Sequence, residues 1–314
     1  MDSPAFNPIP GQSETLEPGL RRLLAPNPSP MTFRGTNTYL LGTEHLVVID
    51  PGPAIDSHLT AILDAAGTSP ITHILVTHAH LDHSALARPL AEATGAPVLA
   101  FGGPQSGRSP LMQDLAEQGL IGGGEGVDRA FVPDIVIGAD DSIEIEDEQI
   151  SCVWTPGHMA HHLAFGWRGA LFTGDVVMGW ASSLVSPPDG DLGAFMATCN
   201  RLRTRQDRIF YPAHGAPIET PQARLDWLIA HRRQREAQIS AALATRPHTA
   251  ADLTLAIYDD VPPALLPAAQ RNVLAHLIDL TERGTITATP TLHPEAVFSR
   301  VGGNGGDEGR KNVK

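Results

Sequence analysis

Ile71 to Thr77 places Ile, Ile, Leu, Val and Thr in a short apolar run, the composition of a strand buried on both faces. Similar runs predict a hairpin of strands from Asn37–Gly42 and Leu46–Asp50, closed by polar Thr43 and Glu44 and halted at Asp50-Pro51-Gly52. A helix is expected over 57–66 with Gly67 as its stop. A second should cover 81–94, kinked at Pro89 and closed by Gly95, with a short strand over 97–101. Alternation over 142–155 predicts another hairpin, and 162–167 with 170–173 a further one. Leu192, Phe195, Met196, Cys199 and Leu202 keep helical spacing, a stripe best read as core, and 208–211 reads as the last strand of this part. The proline-dense stretch 1–30 reads as an irregular lead-in with one strand.

Beyond it the pattern changes. Thr220 and Pro221 form a helix start, a capping residue with proline at the first helical position, and helical composition continues to about Arg246. Helices over 249–257 and 267–284 and a small β pair, 285–288 with 296–299, complete a separate module. The expected division is therefore 1–219, 220–301 and a glycine-rich, charged tail over 302–314 expected to be disordered. Residues 102–130 are glycine-rich around a possible helix, 111–118, and read as a long loop or flap over a site, or equally as an insertion without function.

The chain has 314 residues with 42% hydrophobic content, enough for a sizeable core, and no apolar run long enough for a membrane span. The amino terminus lacks the basic start and apolar stretch of a signal peptide. Two cysteines, Cys152 and Cys199, make a disulfide framework an unsuitable reading and point to a reducing cytoplasm. A net charge of −13 argues against broad electrostatic capture of nucleic acid, without excluding a local basic groove.

Four ligand-type side chains, His78, His80, Asp82 and His83, fall within six residues directly behind the Ile71–Thr77 run. Extended backbone would turn His78 and His80 to one side, and a helix starting near Asp82 would set His83 beside it. A lone histidine at a strand end is usually just solvated, whereas this density has the spacing of a metal site. Three further segments place such a residue after a predicted strand: His158 in Thr155-Pro156-Gly157-His158, Asp175 after Gly174, and His214 after the 208–211 strand. Singly each is ordinary polar punctuation, but together they recur at one edge of a layered α/β sheet, where such folds place their sites.

The order H-x-H-x-D-H, TPGH, GD and a late strand-end histidine resembles the metallo-β-lactamase hydrolase superfamily over about residues 30–215. The resemblance implies an αββα metallo-β-lactamase sandwich with a two-metal site. His78, His80 and His158 would hold one ion and Asp82, His83 and His214 the other, with Asp175 bridging. Asp50 matches a recurrent position and reads as the hydrogen-bond partner of a ligand histidine. Asn37-Thr38-Tyr39, Ser186-Pro187-Pro188-Asp189-Gly190-Asp191 and His231-Arg232-Arg233-Gln234-Arg235-Glu236 further resemble the β-lactamase-like-protein-2 group, its bacterial relatives especially. That group carries a C-terminal winged-helix-like domain, which the module ending at 301 fits. Its animal members are associated with cleaving single-stranded RNA, and fungal relatives with hydrolysing carrier-protein thioesters. Two departures stand out: Pro212-Ala213-His214-Gly215 where many members read PGHG, and His161 where a carboxylate is common.

The expectation is a hydrolase in which two divalent ions activate a hydroxide nucleophile. Zinc is the default for a histidine-rich set, and iron or manganese are tolerated. Asp82 would orient the hydroxide and accept its proton. Trp180, Ser182 and Ser183 follow Asp175 and are candidate pocket residues; neither serine has a nucleophile-elbow context. His161 and His162 read as hydrogen-bonding supports or packing neighbours of the ligands rather than as further ligands. Arg232, Arg233 and Arg235 read as a solvated helix face or an interdomain salt bridge rather than a phosphate site. Only Arg271 and Arg283 are basic in the third helix of the small module, so packing or homodimer formation is favoured there over DNA reading. The flap has only Arg108 and Arg129 as cations, which favours a small acyl thioester or ester over RNA. Two alternatives remain: an endoribonuclease acting on single-stranded RNA, and a non-catalytic nucleic-acid-binding scaffold.

Overall fold

Strand residues that alternate between two apolar environments build this molecule from the middle outward. In a computed structural model describing residues 6–122 and 126–302, Tyr39, Leu41, Val47 and Ile49 point into one core while Leu40, Leu46 and Val48 point into another. Successive strand side chains face opposite ways, so a run apolar at every position must be covered on both sides.

The first sheet holds seven strands in sequential order. They are β1 (Glu14–Glu17), β2 (Leu20–Leu24), β3 (Asn37–Leu41), β4 (Leu46–Ile49), β5 (Ile71–Leu75), β6 (Val98–Ala100) and β7 (Ile135–Val136). Strands β1 to β4 are joined antiparallel, and β4 to β7 run parallel. Helices α1 (Asp56–Ala66), α2 (Leu81–Ser84) and α3 (Ala87–Thr94) serve the parallel crossovers, and α4 (Pro110–Glu117) lies in the glycine-rich segment. Ile62 of α1 and Ala87, Leu90 and Ala91 of α3 cover the outer face of this sheet.

The second sheet has the order β12-β11-β10-β9-β8. Its strands are β8 (Ser142–Ile145), β9 (Glu148–Trp154), β10 (Leu163–Trp167), β11 (Ala170–Gly174) and β12 (Ile209–Pro212), with α5 (Leu192–Arg203) before the last. Ile150, Cys152, Phe165, Phe172 and Tyr211 from this sheet meet Leu20, Tyr39, Leu75 and Leu99 from the first, so the two sheets share one sandwich core. The crossover through α5 makes β11 and β12 parallel neighbours, so both finish at the ligand-bearing edge.

Helix α6 (Pro221–Leu243) opens at the expected proline. Two compact units divide the chain, Met1–His231 and Arg232–Lys314, so the division falls inside α6, later than the 219/220 boundary expected from the cap. The second unit contains α7 (Ala250–Ile257), a 3-10 turn (Pro263–Leu265), α8 (Leu266–Glu282) and the wing β13 (Ile286–Thr289) with β14 (Val297–Arg300). Thr249 and Asp252 cap α7 reciprocally. Leu253, Val273, Leu277, Ile278, Ile286 and Phe298 are buried.

Several expectations need correction. The lead-in 1–30 carries a full hairpin, β1–β2, because its prolines fall outside both strands. The single kinked helix over 81–94 is two helices broken at Ala85 and Leu86. Pro89 sits in the first turn of α3, where a missing N–H costs nothing. Strand β7 was not foreseen. Arg232 donates to Asn272 at 2.9 Å, Arg235 lies 4.3 Å over the Tyr258 ring, and Glu236 pairs with Arg283 at 2.9 Å. Arg232, Arg235 and Glu236 therefore tie helices within the second unit, whereas Arg233 is exposed, as expected of a solvated helix face. The expected disordered tail lies outside the described residues, Gly302 excepted. Among the described residues no helix is long and apolar enough to cross a membrane.

Candidate metal centre

Strand β5 ends at Leu75, and the loop beyond it is held both by strands and by side chains from distant segments. Val76 N–H donates to the Leu99 carbonyl of β6 at 3.0 Å, and Leu163 N–H of β10 to the Thr77 carbonyl at 2.8 Å. Thr77 N–H donates to Asp50 Oδ1 at 2.7 Å and its hydroxyl to Asp50 Oδ2 at 2.8 Å. Asp50, at the end of β4, takes a left-handed φ of +50° that turns its carboxylate toward this loop. Ala79 N–H donates to His161 Nε2 at 2.8 Å, and Asp128 N–H to the Ala79 carbonyl at 2.9 Å. His80 stays extended, and Leu81 begins the single turn α2, so Asp82 and His83 leave the loop in helical direction.

This path brings all seven predicted ligands together in two groups. Ligand atoms of His78, His80, His158 and Asp175 lie within 4.8 Å of one another, as do those of Asp82, His83 and His214. His80 Nδ1 is 2.9 Å from His78 Nε2 and 3.2 Å from His158 Nε2. Nitrogens placed tetrahedrally about a zinc ion stand about 3.3 Å apart, the edge given by bonds of about 2.0–2.1 Å. Asp175 lies between the groups: Oδ2 is 3.7 Å from His158 Nε2, and Oδ1 is 3.3 Å from His214 Nε2 and 3.6 Å from His83 Nε2. Asp82 Oδ2 reaches to 3.3 Å from His214 Nε2 and 3.5 Å from His83 Nε2.

The outward ring nitrogens show how the histidines are aimed. His83 Nδ1 donates to Asp50 Oδ2 at 2.9 Å, His158 Nδ1 to the Leu184 carbonyl at 2.7 Å, and His214 Nδ1 to the Gly35 carbonyl at 3.2 Å. Thr77 Oγ1, having given its proton to Asp50, accepts from His78 Nδ1 at 3.0 Å. Each Nε2 of these four is thereby left as the free ligand atom facing inward, the usual support for a metal-binding imidazole. His83 Nε2 and Asp175 Oδ1 are buried without an aligned hydrogen bond. Orphaned polar atoms of this kind are costly unless a cation or water satisfies them, so the donor set fits divalent ions.

The charge balance differs between the groups. Burial holds the imidazoles of His78, His80 and His158 below their ordinary range, with His80 at about 3, so this group offers neutral nitrogens. Burial also disfavours charge on His83 and His214, but the Asp82 and Asp175 carboxylates outweigh it and raise both, His214 to about 10. For Asp82, burial pushes the carboxyl up, yet His83 and His214 prevail and hold it below its usual value.

The neighbouring residues sort by contact. His162 Nε2 accepts the Asp175 N–H at 3.2 Å, and its Nδ1 donates to Thr155 Oγ1 at 2.7 Å. Asn37 donates to the carbonyls of Pro212 and Gly215 at 3.0 and 2.9 Å, and Tyr39 to Pro212 at 2.7 Å, clasping the His214 loop. Arg108 donates to Asp189 at 2.6 Å, and Ser109 to Asp191 at 3.0 Å, fastening the glycine-rich segment to the 186–191 loop. Trp180 stacks on Phe33 with centroids 5.1 Å apart and packs against Gly215, next to His214. Ser182 is half-buried on the same loop. Ser183 is fully buried and its hydroxyl donates to the Val176 carbonyl at 2.9 Å. The sequence reading missed Thr77, Gly35 and Leu184: one looked like strand, and two act through carbonyls that any residue would offer.

The metallo-beta-lactamase superfamily matches residues 31–214, and the beta-lactamase associated winged helix domain matches residues 249–291. The beta-lactamase-like protein 2 homolog of Drosophila melanogaster is 30% identical over 288 residues, covering 87% of this chain and 91% of its own. The atrochrysone carboxyl ACP thioesterase of Aspergillus fumigatus is 32% identical over 239 residues, covering 73% of this chain and 66% of its own. The crystal structure of a metallo-beta-lactamase family protein from Thermus thermophilus superposes with a TM-score of 0.73 at 25% identity, over 91% of this chain and 100% of that one.

Proposed function

Because the chain belongs to the metallo-β-lactamase superfamily, we propose that it is a metal-dependent hydrolase whose substrate is an acyl thioester or activated ester. The observation that carries this reading is the convergence of seven ligand side chains, borne on the segments behind β5, β9, β11 and β12, into two adjoining groups. His78, His80 and His158 would hold one divalent ion and Asp82, His83 and His214 the other, with Asp175 placed between the two groups; zinc is the ion that a histidine-rich set favours. When bound, such a pair supplies Lewis acidity that lowers the pKa of water and polarises the scissile carbonyl.

The remaining work belongs to the chain. Asp82 is the catalytic residue: its carboxylate, 3.3 Å from His214 Nε2 and 3.5 Å from His83 Nε2, would orient the attacking water and accept a proton. Asp50 fixes His83 directly and His78 through the Thr77 hydroxyl, so the imidazoles need no rearrangement when substrate arrives. The acyl reading draws on the thioesterase among the relatives and on the scarcity of free cations. Of the two arginines in the 102–130 segment, Arg108 is already paired with Asp189. A polyanionic strand would meet few phosphate contacts there.

Purified protein should carry close to two divalent ions per chain, and His80→Ala should lose metal and at least 100-fold in turnover. A panel of short acyl thioesters compared with a labelled single-stranded RNA, on zinc-loaded protein, tests the substrate class. Metal- and His214-dependent cutting of RNA with every thioester inert would replace this reading by the ribonuclease one.

A further inference from the structure

We infer that His161 is a positioning residue for the first ligand group, acting as the acceptor that holds the His78–Ala79 peptide, and with it the Ala79 spacer before His80, in place. It rests on the proposal that this group binds a divalent ion. Ala79, the residue between the two histidines, has an alanine side chain that can do nothing to aim its neighbours. Its backbone is fixed at both ends instead, the N–H by His161 Nε2 at 2.8 Å and the carbonyl by Asp128 N–H at 2.9 Å. Because Nε2 accepts, the imidazole is neutral and carries its proton on Nδ1, which is buried with no hydrogen-bond partner among the described residues. A buried polar N–H left unmatched is costly, and it is tolerated here for the sake of the lone pair on the other side of the ring.

The turn that bears His161 is itself immobilised. Ala160 N–H donates to the Asp189 carbonyl at 3.0 Å, and Trp154 Nε1 donates to the Ala160 carbonyl at 3.0 Å. Asp189 in turn receives Arg108. Gly107 lies so close to the Ala160 carbonyl that an added Cβ would stand 2.8 Å from it. A continuous chain of contacts thus runs from the 186–191 loop through His161 to the peptide that spaces two ligands. Rotation about the Ala79 backbone would swing His78 and His80 apart, since the His78–Ala79 and Ala79–His80 peptides meet at its Cα and His161 holds the first of them. His161 touches neither the proposed ions nor the reacting atoms, and its effect is carried by Ala79.

Two variants separate the acceptor from the bulk of the ring. His161→Gln places an amide oxygen at the reach of Nε2, whereas His161→Phe keeps the ring volume and removes the acceptor. Hydrogen exchange of the Ala79 amide in the metal-free protein reads the contact directly, and chelator competition reads the affinity for zinc. The inference expects His161→Gln to match the parent in both. His161→Phe should exchange Ala79 at least 10-fold faster and bind zinc about 10- to 100-fold more weakly, the range for groups that support a ligand. Unchanged Ala79 exchange in His161→Phe overturns the inference, as does an equal loss of zinc affinity in both variants. Zinc binding by the parent protein decides the metal reading separately, because the exchange measurement needs no metal.

Discussion

Thr77 holds no ion and carries no charge, yet it couples one carboxylate to both ligand groups. Asp50 Oδ2 accepts from His83 directly and from the Thr77 hydroxyl, which accepts from His78. Thr77→Val keeps the shape and removes the relay, leaving His78 Nδ1–H unmatched; about a 10-fold loss of zinc affinity is expected by chelator competition. The clustering of His78, His80, Asp82 and His83 was legible in the sequence because like chemistry sits within one short stretch. Thr77 was not, because its neighbours Val76 and Leu75 give it the setting of an ordinary strand residue. His58 is another silent residue. Buried in α1, its Nε2 donates to Thr38 Oγ1 at 2.9 Å, and burial pushes its pKa down to about 4. Above about pH 6.5 both folded and unfolded chains hold it neutral, so it has no effect there. As pH falls from about 6.5 to about 4, the unfolded chain binds a proton that the folded one refuses, costing about 3 kcal/mol by pH 4. Urea unfolding of metal-free protein across this window should show that loss, and His58→Gln should shrink it.

Among the elements, glycines separate packing from conformation. Gly157 in the turn before His158 has φ +142°, and an added Cβ would stand 2.7 Å from the Phe195 backbone nitrogen on α5. Gly157→Ala must push α5 from the loop, so a loss of about 3 kcal/mol together with weaker metal binding is expected. Gly67 after α1 has φ +61° with open space around it, so Gly67→Ala should cost only about 1 kcal/mol, all of it conformational. Thermal melts of the two variants distinguish these cases. The stop at Gly67, the start at Pro221 and most strands could be read from the chain because caps and apolar runs are local signals. The break at Ala85 and Leu86 could not: Leu86 N–H goes to the Gly52 carbonyl, a tertiary bond that no periodicity announces. Among the described residues strand β7 pairs only with β6 and exposes both its side chains, so its pattern carries no buried face to detect.

For the whole molecule, the layered α/β sandwich and the winged module were legible, since ligand residues behind successive strands already imply one sheet edge. The clasp around that edge was not, because its partners lie far apart in the chain. Asn37 binds the carbonyls of Pro212 and Gly215, positions 175 and 178 residues away, and Thr36 bridges to His214. Contacts of such separation are slow to form and are favoured only once intervening structure has closed the loop between them. The ligands of either group cannot meet until both sheets have docked, so ions have nothing complete to bind in a partly folded chain. Zinc should therefore leave the refolding rate nearly unchanged and slow unfolding instead, as interactions absent from the transition state do. Stopped-flow refolding and unfolding with and without zinc would show it. A refolding rate that climbs with zinc concentration would mean that capture precedes closure, and that part of the centre exists before the sandwich does.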